Sequence, residues 1–484
     1  MSTKIGIISE LASILTKKEK MDSGVLDFSK QFKIGQLLKP YSDVKQQGKT
    51  LKSIMVSMLL TRLGNKSIYA MQRTWSLGMD DNTMYRLMNN PLVNWTRILL
   101  SFAKQFINCV SEKGASEEKT KKCFIIDDTE LSKTGTTFER ISKIYSHVTH
   151  SFKFGHKMLT LCFWDGKSLL PCGLSLHREN KKNAYGLNKN QQKRQFQKER
   201  KEVGYFQERY EELDEEKNKV AIKMLKRAVK SKIIASYVLM DSWFVSDYML
   251  QSIRSIRGCI LHVAGMCKMD KRKFKVDDKE YNSHTIIKMK EHKKGKRHHS
   301  RKYHSDYIEA IADYNGTPVK LFYIKYKNAK NWTLLLTPDL SLSFTQAMEL
   351  YQIRWSIEVM YNECKQYLRL GKAQNTDFYG QIADASLTLI TYIILSLYKR
   401  FEAYETLGAL FRDTQAEILE KTLCERIAVM FVKIVADLLE LFSLDVDETL
   451  TRIIASKDTD KNVIILLNAV NQLTTDCENS LNVV

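Results

Sequence analysis

Proline is scarce in this chain, at 5 of 484 residues, and glycine is modest at 20. So few breakers exclude a collagen-like or linker-dominated polymer and, with 44% hydrophobic residues, favour an ordered, largely helical globular protein. The 9 cysteines are scattered, with no CxxC pair and no Cys/His zinc spacing. That pattern excludes a disulfide framework and reads as reduced, mostly buried thiols of a cytosolic protein. Long apolar runs are lacking too. The opening MSTKIGIISELASILTKKEK has no signal-peptide apolar core, and the most apolar helical stretch, 385–398, is too short and too rich in Ser and Thr to span a membrane. No internal repeat is present. Acidic residues are in deficit, 55 Asp plus Glu against 76 Lys plus Arg, for a formal charge of +21 and a pI near 9.3. Such an excess calls for a polyanionic partner. With the membrane option weak, nucleic acid is expected.

A chain this long exceeds one ordinary core, and two to four structural units are expected. Residues 1–115 read as helical. Within them, KSIYAMQRTWSLGMDDNTMYRLMNN has a helix ending near Trp75, a turn at Gly78, and Asp80 and Asp81 as N-caps of a short helix bearing Arg86. This is helix-turn-helix spacing, with Arg86 placed to meet DNA, although any helical hairpin with a glycine turn looks similar. From Lys122 the pattern becomes strands: CFIID running into Asp127-Asp128-Thr129, then KMLTLCFW and SLLPCGLSLH joined by the Asp165-Gly166 hairpin signal. A basic loop over 178–201, a long charged helix to about Lys232 and the strand SYVLMDSWF ending at Asp241 come next. Strand, hairpin, helix, strand is the opening of an RNase H-like α/β layer.

Between roughly 258 and 340 alternating runs read as a β-rich module carrying the most basic run, HKKGKRHHSRKYH. Its His298, His299 and His304 lack the carboxylate or Cys spacing of a metal site, so a nucleic-acid-facing loop is the better reading. The stretch 346–368, free of Gly and Pro, reads as one helix. Tyr351, Arg354, Glu358 and Lys365 fall within roughly 60° of one face of it. Helix-spaced ion pairs on a solvated face are the better account of that pattern when it stands alone, and the acidic strand ends elsewhere in the chain are what weigh against it. After Leu370 helices dominate. One is apolar on most sides, and the last eighty residues suit packing on the core or on a second subunit.

Asp128 and Asp241 each follow an apolar strand, and with Glu358 they make a three-acid set suited to two Mg²⁺ ions and in-line phosphodiester chemistry. Each has a structural alternative. Asp127 and Asp128 can cap a turn, and because neighbours on a strand face opposite sides only one can point into the site. Asp241 can cap the following helix.

Tyr351-x2-Arg354-x3-Glu358-x6-Lys365 resembles the Y-R-E-K signature of bacterial insertion-sequence transposases with a DDE catalytic domain. Asp128-Thr129 and Asp241-Ser242-Trp243 resemble the first and second acidic blocks of that family, and the β-rich insertion is a trait of it. The resemblance covers about 115–400. It implies an RNase H-like core (116–257 and 345–400) interrupted by a β-rich insertion (258–344). All-helical regions flank it: a DNA-binding domain at 1–115 and a C-terminal region at 401–484 that can serve dimerisation. The implied activity is cut-and-paste transposition. A nick frees a 3′-hydroxyl at the element end, a hairpin forms and is hydrolysed, and the 3′-hydroxyl is joined to target DNA. Asp128, Asp241 and Glu358 would be the catalytic metal ligands for two Mg²⁺, with Mn²⁺ able to substitute. Arg354, Lys365 and Tyr351 would hold the DNA backbone, and Trp332 would take a flipped base. His147, Lys153 and Lys157 are further candidates for DNA contact. The implied partners are double-stranded DNA (terminal inverted repeats and target) and a second subunit, in the bacterial cytoplasm at the nucleoid. A domesticated, catalytically idle DNA-binding repressor and a stand-alone metal nuclease are the competing readings.

Overall fold

The computed structural model describes residues 28–45, 47–74, 81–114, 120–179, 181–200, 204–291, 296–401, 404–416 and 418. The opening twenty residues, the Trp75–Asp80 turn, positions 292–295 of the basic run and most of the last eighty residues lie outside them. The described elements of 28–112 are helices. Among them are α1 (Leu51–Leu63), α2 (Ile68–Thr74), α3 (Asp81–Met88) and α4 (Trp95–Glu112). Thr50 and Asn94 open α1 and α4 by accepting the Ser53 and Arg97 backbone N–H, at 3.1 and 3.0 Å.

A 12-stranded mixed sheet forms the centre. β1 (Cys123–Lys133), β2 (Ser142–Ser146), β3 (Ser151–Trp164) and β4 (Leu169–His177) are linked antiparallel through β3. The β3–β4 turn is the expected Asp165-Gly166: the Asp165 carboxylate accepts from Lys167 and Ser168 N–H, and Gly166 has φ 110°. The stretch read as a basic loop, 178–201, is more ordered than expected. It holds α5 (Lys189–Arg194), opened by a capping box between Asn188 and Gln191, and Arg200 forms buried ion pairs with Glu139 and Asp377. Two helices, α6 (Gly204–Glu212) and α7 (Lys217–Lys230), replace the single long one and lead back to β5 (Tyr237–Met240), which lies parallel to β1. After α8 (Asp247–Arg254) comes β6 (His262–Cys267), parallel to β5. The order β4-β3-β1-β5-β6, antiparallel on one side of β1 and parallel on the other, is consistent with an RNase H-like nuclease core.

The β-rich stretch supplies β7 (Lys273–Val276), β8 (Lys279–Asn282), α9 (Ser283–Glu291), β9 (Arg297–Ser300), β10 (Ser305–Tyr314), β11 (Thr317–Tyr326) and β12 (Thr333–Thr337). Its strands extend the same sheet, because β12 pairs antiparallel with β6. The predicted helix over 346–368 is divided into α10 (Phe344–Gln352), a 3₁₀ turn at Ile353–Trp355 and α11 (Ser356–Tyr367). At the break the Ser356 hydroxyl bonds back to the Ile353 carbonyl at 2.7 Å, a competitor for the backbone ladder that sequence periodicity does not register.

α12 (Phe378–Phe401) is longer than read from sequence. At 24 residues and a mean hydropathy of 1.4 over its best window it is long and apolar enough to cross a membrane, yet that window is 100% buried inside the protein. It packs on α1, α3, α4 and β4 and serves as a core helix. An Arg62–Asp384 ion pair, with side chains 7% and 4% exposed, ties α1 to α12, and the Tyr379 hydroxyl donates to the Val93 carbonyl at 2.7 Å.

Candidate active site

Parallel pairing of β1 with β5 sets the site. Ile126 lies beside Met240 in register, so Asp127, which continues β1, and Asp241, which follows β5, stand side by side. α11 crosses β1 here and fixes which of its side chains face it. The Tyr361 hydroxyl donates to the Asp127 carbonyl at 3.1 Å, and Lys365 Nζ donates to Thr129 Oγ1 at 2.7 Å. Asp127 and Thr129 share that face. The Arg354 guanidinium, just before α11, joins the Asp127 carboxylate (3.2 Å) to Glu358 (2.5 Å). Asp128 is held differently: its carboxylate accepts from Lys217 Nζ of α7 at 2.5 Å.

After Asp241 the chain turns sharply. The Asp241 carboxylate accepts the Trp243 N–H at 2.9 Å, and Phe244 and Val245 (each 3% exposed) anchor the turn in the core. Gly265 on β6 permits this, since a Cβ there would stand 2.5 Å from the Val245 side chain and 3.1 Å from the Met240 carbonyl oxygen.

Burial governs the electrostatics. The Asp127 carboxyl is pushed up to about 7, chiefly by desolvation and further by the Asp241 and Asp128 charges, against its backbone hydrogen bond and Arg354. Asp241 is also raised by burial, with Asp128 adding and the Trp243 N–H and Arg354 opposing. The Tyr351 phenol is pushed up to about 12 by burial, and the Lys365 ammonium is lowered by it, with Lys157 and Lys153 contributing. Two acids thus stand where a positive charge would be welcome, and Arg354 supplies one. Among the described residues no three His, Cys, Asp or Glu side chains stand close enough together to hold a metal ion.

The other expected residues are spread more widely. Trp332 is partly buried just before β12, with Arg297 and Lys325 at 6.0 and 5.8 Å from its ring. Arg86 is exposed on α3 and lines a cleft of about 660 Å³ with Asn89, Lys198 and Arg200. Lys157 is buried and Lys153 lies 4.0 Å from Glu130, while His147 is exposed beside Tyr145. His299 pairs with Asp306 and His298 stacks on Tyr307, so both have partners within the fold. Sequence reasoning missed Lys217, Lys268 and the exposure of Trp243 and Trp355. Only the Trp beside Asp241 carried a signal, as part of Asp241-Ser242-Trp243.

A family model described as DDE superfamily endonuclease matches residues 41–264, a little under half of the chain. The matched segment contains Asp127, Asp128 and Asp241 and stops short of Glu358. No curated protein matches the chain. The match supports a DDE transposase-like family and an endonuclease or transposase type of activity.

Proposed function

We propose that this protein is a metal-dependent DNA transposase that cleaves at the ends of a mobile element, through hairpin intermediates, and joins the freed 3′-hydroxyl to target DNA. The observation that carries this reading is the meeting of Asp127 on β1 and Asp241 just after β5 with the segment 351–365, whose Arg354 and Glu358 share an ion-pair network with Asp127 and whose Lys365 reaches Thr129. Our assignment of the acids is Asp127, Asp241 and Glu358. Asp127 follows Ile126 as Asp241 follows its register partner Met240, and it shares Arg354 with Glu358, whereas Asp128 is engaged by Lys217.

The donor chemistry fits a divalent cation, since hard carboxylate oxygens suit Mg²⁺ or Mn²⁺ and the buried Asp127 anion is short of positive charge. For these acids to act as a ligand set, Arg354 must release Asp127 and Glu358. When bound, two such ions would activate the attacking oxygen and stabilise the leaving one. The chain's own groups do the rest. Arg354, once released, is a planar fork matched to a phosphate, and Lys365 adds a point charge on the same face. Tyr351, kept protonated by burial, donates a hydrogen bond to the same backbone. Lys217 holds the Asp128 carboxylate aside. Trp332, with two cations beside its ring, is suited to receive an unpaired base, and Arg86 to meet duplex DNA away from the acids. Cleavage and joining by a dimer on paired ends completes the proposal.

The test is cleavage of duplex DNA carrying the element's terminal repeats, with Mg²⁺, by purified protein. Asp127→Ala, Asp241→Ala and Glu358→Ala are each expected to lower cutting by about 10³-fold or more while DNA binding persists. Asp128→Ala should retain more activity than Asp127→Ala. Cutting that survives all three changes refutes the reading, and loss with Asp128→Ala but not Asp127→Ala reverses the assignment on β1.

A further inference from the structure

Trp243 presents a problem of physical chemistry. It is 66% exposed, although it follows Asp241 by two residues and its neighbours Phe244 and Val245 are buried. The turn is therefore firmly seated, yet its indole faces water. Two cations flank the indole: Lys268 Nζ lies 5.3 Å and Lys217 Nζ 5.9 Å from the ring centroid. Lys217 is bound to Asp128, but Lys268 has no ion-pair partner among the described residues. Ordinary lysine stems covering an aromatic would bury it, and here most of the ring remains open.

Sheet topology gives the indole a direction. β6 ends at Cys267, which pairs with Leu334 of β12, so Lys268 runs alongside the chain entering β12, where Trp332 stands. Across this part of the sheet the order is Asp127 on β1, Asp241 just after β5, Lys268 just after β6 and Trp332 just before β12. At roughly 4.8 Å per strand across the sheet and 3.3 Å per residue along it, Asp127 and Trp332 are about 17 Å apart. That is about five steps of one DNA strand at 3.4 Å each. Trp243, beside Asp241, and Trp332, at the far end of the row, each have two cations near the ring, the pairing that single-stranded nucleic acid uses for base stacking and phosphate contact.

We infer that Trp243 is a stacking platform for an unpaired nucleobase next to the scissile phosphate, with Lys268 contacting the adjoining backbone. The inference rests on the DNA-cleaving function proposed above, and it names a second base-binding residue, on the acid side of the row rather than at Trp332.

It can be read without cleavage, in EDTA, by fluorescence anisotropy. The probes are a labelled 20-base-pair duplex ending in three unpaired thymidines and the same duplex with three abasic residues in their place. Stacking tolerates sequence, so no particular element end is needed. Trp243→Ala is expected to weaken binding of the thymidine probe by about 5- to 150-fold, while changing the abasic probe by less than about twofold. Trp243→Phe should keep most of the affinity, and Lys268→Gln should weaken both probes alike. Equal weakening of both probes by Trp243→Ala, or none, overturns the inference and leaves the cleavage reading intact. Wild-type protein that binds neither probe likewise overturns the inference, and the cleavage reading is then judged on terminal-repeat DNA alone.

Discussion

A carboxyl buried beside other carboxyls is most stable with its proton on, and Asp127 carries that cost into the stability of the fold. Its ordinary value is 3.8 and its folded value about 7. Below about pH 4 both folded and unfolded chains hold the proton, so the group is neutral to stability. Between about 4 and 7 the unfolded chain releases it while the folded chain keeps it, so stability falls as pH rises, and above about 7 the full penalty applies. Asp127→Asn should therefore raise the unfolding free energy at pH 8 by on the order of 1–3 kcal/mol, with the gain vanishing near pH 4. Thermal unfolding of both proteins from pH 4 to 8 checks this, and a pH-independent difference would count against it.

This scale is also where sequence was least informative. Adjacent Asp127 and Asp128 are chemically identical and lie on opposite faces of β1, so choosing between them needs to know which face α11 covers. Residue spacing does not contain that fact. Exposure of Trp243 was hidden for the same reason, because it depends on Phe244 and Val245 taking the core positions.

Elements were read more faithfully. The β1, β3, β4 and β5 runs and the Asp165-Gly166 turn were legible because alternation and turn chemistry are local. The divided helix at Ile353–Trp355 was not, since a single Ser356 hydroxyl causes no gap in periodicity. Close approach across strands is equally silent in sequence, and Gly265 is the instance that matters. Gly265→Ala should push Val245, and with it the turn holding Asp241, away from β6, costing about 1–3 kcal/mol and most of the activity. In urea unfolding, Gly265→Ala combined with Val245→Ala should cost less than the two changes added together. Simple additivity would show that the crowding is not at that contact.

Across the whole molecule, regions far apart in sequence are joined by a few buried polar ties. Arg62 and Asp384 are 322 positions apart and both nearly inaccessible. Removing one partner strands the other, so Arg62→Ala should destabilise by about 3–5 kcal/mol, whereas replacing both by apolar residues should cost far less. Chemical denaturation of the single and double variants measures the difference, and a mild Arg62→Ala would mean the pair is solvated.

The central position of α12 also bears on how the chain is made. The faces of α1 and α4 that it covers are synthesised by residue 112, but α12 is complete only at residue 401. At 5–20 residues per second the ribosome leaves those apolar faces waiting roughly 15 to 60 s. During that interval the nascent chain carries sticky, unmatched surface. Its yield in the cell should thus depend on chaperone supply and on uninterrupted translation more than on the stability of the finished fold.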